Sequence, residues 1–307
     1  MTTGRKRPNG VVGLAYSKLP VRSRSSSSSR SSSAAIPHQA LDRSQTLCAV
    51  PNRVSSLSLL QCSQLLLEML SMLRQNRLLI ALSEAAKKRL FRHMEWVALP
   101  QGEILYESCE TISHVYFPVD SIISLLHVLG NGDSAEVSVV GNEGLVGISL
   151  FLGVDNTISR AVVQSAGRAY RMPGKLLQDE FNHHSELNIL ILRYIQTLII
   201  QMSQTSVCNR YHSILQQLCR CLLLSLDRLP GNQLTMTQKL ISDMLGVRRE
   251  GITEAAGILR RLGVIAYNRG HITVLDRIKL EHMSCECYAI VRQETDRLLP
   301  RKAPSFS

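Results

Sequence analysis

The sequence predicts an α+β protein: an N-terminal antiparallel β-roll of jelly-roll type, one long helix, and a C-terminal module of two short helices and a hairpin. Three observations lead there. Between residues 96 and 172, seven short apolar runs are separated by turn-forming residues, the pattern of a closed antiparallel sheet. Residues 185–206 are apolar at helical spacing on two faces, so that helix is buried on two sides. Residues 237–275 pass from helical to hairpin patterning around Gly246 and Arg269-Gly270.

A chain of 307 residues accommodates two domains and a tail. Its net charge of +11 is unevenly placed. Residues 1–60 hold nine Lys/Arg against one acid, Asp42, and residues 210–275 hold nine against four. Positive charge is therefore confined to the tail and the C-terminal module, the distribution of a phosphate-binding unit. The tail 1–60 is Ser-, Arg- and Pro-rich; it lacks the apolar area to offset its ordering entropy, so it is expected to be disordered. It is either a basic arm or sequence upstream of a start at Met69 or Met72.

No apolar core precedes a cleavage site, so no signal peptide is expected. The most apolar stretch, 187–200, is short of a membrane span and carries Arg193. A cytoplasmic protein without membrane contact follows. The eight cysteines form no C-x-x-C pair, which fits reduced thiols.

Taken in order, the chain opens at Asn76 into a helix carrying Leu78, Leu79, Leu82, Leu90 and Phe91. Strands are expected at 96–99, 104–106, 114–117, 122–127, 136–140, 160–164 and 168–172. Turn signals at Pro100-Gln101-Gly102, Pro118-Val119-Asp120, Gly130-Asn131-Gly132-Asp133 and Gly141-Asn142 separate them. On the long helix, Leu187, Ile191, Tyr194, Leu198 and Met202 form one stripe, and Ile189, Leu192, Ile195 and Ile199 a second. One face packs on its own roll and the other on a second copy; the first stripe is assigned to the dimer contact. A hinge near 207–210 leads into the next helix, 211–226.

Thr237 is a good N-cap for a helix with Leu240, Ile241, Met244 and Leu245 inside. Gly246 ends it in a left-handed conformation that costs glycine nothing. The next helix, 248–262, buries Ile252, Ala255, Ala256, Leu259 and Leu262, leaving Arg249, Glu250, Thr253 and Glu254 exposed near its start. Two helices about a short Gly-containing turn form a helix-turn-helix, whose second helix reads base edges with its N-terminal residues. Ile272 and Val274 alternate after Arg269-Gly270, making a wing that sets Arg269 against a phosphate backbone.

Thr237-Gln238, Leu245-Gly246-Val247-x-Arg249-Glu250, Leu259-x-x-Leu262-Gly263-Val264-Ile265 and Arg269-Gly270-x-Ile272 resemble the winged helix-turn-helix of the Crp/Fnr family of bacterial transcription regulators. The turns at Gly102-Glu103 and Tyr116-Phe117-Pro118 are similar to the family's cyclic-nucleotide-binding β-roll. The resemblance covers about residues 72–300. It implies a sensor roll at 72–184, a dimerisation helix at 185–207, a winged helix-turn-helix at 208–280, and a C-terminal helix and tail at 281–307.

The implied function is a homodimeric transcription regulator on double-stranded DNA with a two-fold symmetric site, contacting RNA polymerase if it activates. By the same correspondence Arg249, Glu250 and Thr253 face bases, while Thr237, Gln238, Arg248 and Arg269 hold phosphates. Arg suits guanine O6/N7 and Glu accepts from cytosine N4. The catabolite-activator branch carries Arg where this chain has Glu254, so a different operator is expected.

In cyclic-nucleotide-binding relatives a Gly-Glu pair holds the ribose and an Arg-Ala pair the cyclic phosphate. The matching positions are Gly147-Ile148 and Arg160-Ala161. Ile148 accepts no hydrogen bond, so no cofactor is expected and cyclic nucleotide is disfavoured. Arg160 remains as an effector-binding candidate or a loop-anchoring arginine. Cys48 and Cys62 are too few for an iron–sulfur cluster. Cys285-Glu286-Cys287 with His282 is a C-x-C pair on an expected helix, which splays its thiols, so no metal site is expected. His183-His184 are surface residues by default. No nucleophile elbow, phosphate loop, H-E-x-x-H or paired carboxylates point to an enzyme. The competing reading is a ligand-binding regulatory subunit whose C-terminal module docks a protein; the basic charge of that module argues against it.

Overall fold

The computed structural model describes residues 76–183 and 186–299. The expected disordered tail, Cys48, Cys62 and His184 lie outside the described residues.

The expected first helix is two. Asn76 caps α1 (Arg77–Ala81), accepting from the backbone of Leu78 and Leu79. Its side-chain amide donates to Pro118 O (3.0 Å) and Gly144 O (2.8 Å), tying the helix to the roll. Leu82 is extended, and Ser83 caps α2 (Glu84–Phe91) through Ala86 N. A serine that competes for backbone donors restarts the helix there.

All seven expected strands are present, with ends shifted by a residue or two: β1 (Glu95–Leu99), β2 (Ile104–Tyr106), β3 (His114–Pro118), β4 (Ile122–Val128), β5 (Ser134–Val140), β6 (Arg160–Ser165) and β7 (Gly167–Pro173). They form two antiparallel sheets, ordered β1-β7-β3 and β2-β6-β4-β5. Val115, Phe117, Ile123, Ala161, Val163 and Met172 alternate into the space between them and are buried. At the β6–β7 turn a Cβ on Gly167 would lie 2.4 Å from Asp120 O, so only glycine fits.

After α3 (Gly174–Asn182), α4 (Glu186–Tyr211) runs 26 residues. Here two expectations are corrected. Leu187, Ile191, Tyr194 and Leu198 are buried in the core of their own roll, and Met202 is half-buried, so this stripe does not face a second copy. The free stripe is Ile189, Leu192, Gln196, Ile199 and Ser203, at alternating steps of three and four residues. Two-sided apolarity did not indicate which face packs on the roll. The hinge also moves. The helix continues through 207–210 and breaks at Ser213, whose capping box with Gln216 starts α5 (Ile214–Leu226). The C-terminal domain therefore begins near 213 and not at 208.

That domain comprises α5, β8 (Gln233–Thr235), α6 (Gln238–Leu245), α7 (Arg249–Arg261), β9 (Ile265–Asn268), β10 (His271–Val274) and α8 (Arg277–Met283). Its sheet has the order β8-β10-β9; the three-residue β8 is too short to show a period in sequence. A second core gathers Leu222, Ile241, Ile252, Leu259, Val264 and Leu280. Finally α9 (Glu286–Leu298) returns along α4, Arg77 pairs with Asp296 at 2.7 Å, and Leu299 enters the core of the roll. Among the described residues no helix is long and apolar enough to cross a membrane.

Candidate nucleic-acid interface

Local chemistry builds the reading head. Thr237 Oγ1 accepts from Leu240 N (3.1 Å), closing the first turn of α6. Gly246 takes φ 63°, as expected, and Val247 and Arg248 complete the turn into α7. Gly251 sits where a Cβ would come within 2.6 Å of Ile214, so α7 lies close against the start of α5. Ile252, Ala255, Ala256 and Leu259 are buried beneath it. Arg248, Arg249, Glu250, Thr253 and Glu254 are exposed. No side chain caps the amide groups at the start of α7, leaving its positive dipole end open to an anion.

The hairpin joins this surface. Asn268 pairs with His271 across the two-residue turn Arg269-Gly270, both at positive φ (46° and 86°), the geometry of a type I′ turn. Met236 N donates to Gly270 O (2.7 Å), and a Cβ on Gly270 would lie 3.2 Å from Thr237 Cγ2. The wing is thereby held beside the start of α6, so Arg269, Thr237 and Gln238 share one edge. Thr253 Oγ1 donates to Gln238 Oε1 (3.0 Å), linking that edge to α7. Six of the seven residues expected to touch DNA are exposed and Gln238 is partly so. Lys239, paired with Asp243 at 2.9 Å, adds a cation that the sequence reading passed over.

The two positions matched to the family's nucleotide-binding pairs make contacts within the roll. Gly147, at φ 105°, opens a short 3-10 turn, Ile148–Leu152, and Ile148 packs against the apolar core. Arg160 Nε donates to Glu107 Oε2 at 2.7 Å, anchoring the loop after β2.

The expected splaying of the C-x-C thiols is not found. Cys208, His212, Cys285 and Cys287 converge, with one donor atom from each lying within 4.8 Å of all the others. The C-x-C pair does not splay because Cys285 is the extended N-cap of α9 (φ −89°, ψ 164°), outside the helix. The histidine is His212, not His282. The i, i+4 spacing of Cys208 and His212, across the end of α4, was the signal available in sequence.

The cyclic nucleotide-binding domain family matches residues 96–184 and the Crp-like helix-turn-helix domain family matches residues 216–283. No curated protein matches significantly. Among solved structures, FixK2 of Bradyrhizobium japonicum superposes with a TM-score of 0.53 at 14% identity, covering 62% of this chain and 98% of that one. A CRP-family transcriptional regulator of Thermus thermophilus gives 0.51 at 17%, covering 62% and 96%. The c-di-GMP-responsive global regulator CLP of Xanthomonas campestris gives 0.51 at 13%, covering 63% and 100%. These likenesses are of fold.

Proposed function

The chain belongs to the Crp/Fnr family and is a DNA-binding transcription regulator, and from that premise we propose that it acts as a homodimer on a two-fold symmetric operator, without cyclic nucleotide as effector. The observation that carries the reading is the shared edge of the exposed start of α7 and the Arg269 wing. Arg249, Glu250 and Thr253 read bases from the major groove, while Thr237, Gln238, Arg248 and Arg269 set the register on phosphates.

The free stripe Ile189, Leu192, Gln196, Ile199 and Ser203 supports dimerisation through α4, because its three-four spacing is that of a helix seam. Ile148 packed against the core and Arg160 held by Glu107 argue against a cyclic nucleotide cofactor. RNA polymerase is a partner if the bound site activates. The reading needs no catalysis, and it puts the protein with its DNA in the cytoplasm.

Selection of randomised duplexes by the purified protein, with and without cyclic nucleotide at two salt concentrations, tests this. The expected product is a symmetric motif with half-sites about one helical turn, roughly 34–36 Å, apart, with affinity falling as salt rises. No enriched motif with salt-insensitive binding would favour a protein-docking module. Strong dependence on nucleotide would overturn the effector reading.

A further inference from the structure

The two domains each have an apolar core, and three cysteines lie in neither. Cys208, Cys285 and Cys287 are buried together as a separate cluster. Cysteines that serve as small hydrophobes are distributed through a core, as Cys219 and Cys221 are in the C-terminal domain. These three instead face one another and His212.

The distances match one ion. Cys208 Sγ and Cys285 Sγ are 3.6 Å apart, and Cys287 Sγ and His212 Nδ1 are 3.6 Å apart. Bonds of about 2.3 Å to sulfur and about 2.0 Å to nitrogen in a tetrahedron place S···S at about 3.8 Å and S···N at about 3.5 Å. A multinuclear cluster spreads its terminal ligands over two or more metal atoms, whereas here all four donors lie within 4.8 Å of one another. We propose that Cys208, His212, Cys285 and Cys287 bind one zinc ion in a Cys3His site joining the end of α4 to the start of α9. On binding, the thiols release their protons to solvent and no electron moves.

The surroundings suit such a site. With Nδ1 turned toward the thiols, His212 presents Nε2 to Glu286 Oε2 at 3.4 Å, the carboxylate–histidine–zinc arrangement that sets the tautomer. Gln217 Nε2 donates to His212 O (2.9 Å), securing the helix end that carries two ligands. Zinc with three thiolates carries one net negative charge. Buried Arg220, held by Thr205 Oγ1 at 2.8 Å, lies close enough for its charge to act on Cys208 and Cys287.

The position gives the ion a role. Residues 213–284 hold the winged helix-turn-helix, and the site takes His212 before it and Cys285 after it. One ion thus clamps the DNA-binding domain at both of its chain connections. This inference does not depend on the operator or the effector.

Full-length protein purified under reducing conditions is expected to hold about one zinc per chain by elemental analysis. Exchange with cobalt(II) should give the visible bands of a tetrahedral ion and thiolate charge transfer in the near ultraviolet. Cys208→Ser, Cys285→Ser and Cys287→Ser should lose the metal; Cys109→Ser and Cys219→Ser should keep it. If the serine variants fail to fold, His212→Cys decides, since it should retain metal with a shifted cobalt spectrum. Absence of stoichiometric metal at saturating zinc or cobalt would overturn the proposal. So would a Cys208–Cys285 disulfide in protein kept reduced, or iron with cluster absorption.

Discussion

Arg228 and Glu143 form an ion pair at 2.8 Å with each side chain 6% exposed, crossing from the end of α5 to the turn after β5 of the roll. Arg228 also donates to Gln201 Oε1 on α4 (3.0 Å) and to Leu224 O (2.7 Å). Gly141 makes room, since a Cβ there would lie 2.6 Å from Arg228 Cγ. One guanidinium therefore ties roll, long helix and DNA-binding domain. Removing one partner of a buried pair strands the other charge and costs about 3–5 kcal/mol. Arg228→Met should lower the urea midpoint accordingly, and Glu143→Gln on top should recover part of the loss. A change under about 1 kcal/mol in the single variant would show that water already solvates the pair.

Base and phosphate contacts are separable in titrations of the selected operator. Arg249→Ala should weaken binding by about 1–3 kcal/mol and relax preference at one base pair. Arg269→Ala should weaken all duplexes alike and reduce the salt slope by about 1. Fluorescence anisotropy at several salt concentrations reads both. Loss of base preference in the Arg269 variant would reverse the assignment.

The two faces of α4 should respond oppositely to charge. Leu192→Glu, on the free stripe, is expected to yield a folded monomer by sedimentation equilibrium. Ile191→Glu, in the core of the roll, should prevent folding, because an unpaired charge would be buried there. A dimeric Leu192→Glu protein would move the interface elsewhere.

Burial raises the Glu136 carboxyl to about 7, although the Ser124 hydroxyl (2.5 Å) and the charges of Arg220 and Arg228 pull it down. Cys221 also faces it, and burial pushes that thiol up to about 12, so it stays neutral through this range. With the folded value above the ordinary 4.5, the native state holds an extra proton between the two. Stability from this group therefore falls as pH rises through that window and is lowest above 7. Thermal melts of Glu136→Gln should show a shallower decline from pH 5 to 8 and a higher Tm at pH 8. An unchanged slope would place the pH dependence elsewhere.

The reading head was legible because its signals are local. The Thr237 cap, the left-handed Gly246 and the Arg269-Gly270 turn are each fixed by a few neighbouring residues, and turn glycines with alternating apolar runs marked the strands in the same way. The Ser213–Gln216 capping box was equally local and marked the true start of α5. What required tertiary structure joins residues distant in sequence. Periodicity showed that α4 is apolar on two sides, but the roll decided that Leu187, Ile191, Tyr194 and Leu198 face inward. Glu143 and Arg228 are 85 residues apart and Cys208 and Cys285 are 77 apart. No local pattern encodes such meetings, because they exist only once α9 folds back along α4 and the helix-turn-helix domain docks on the roll.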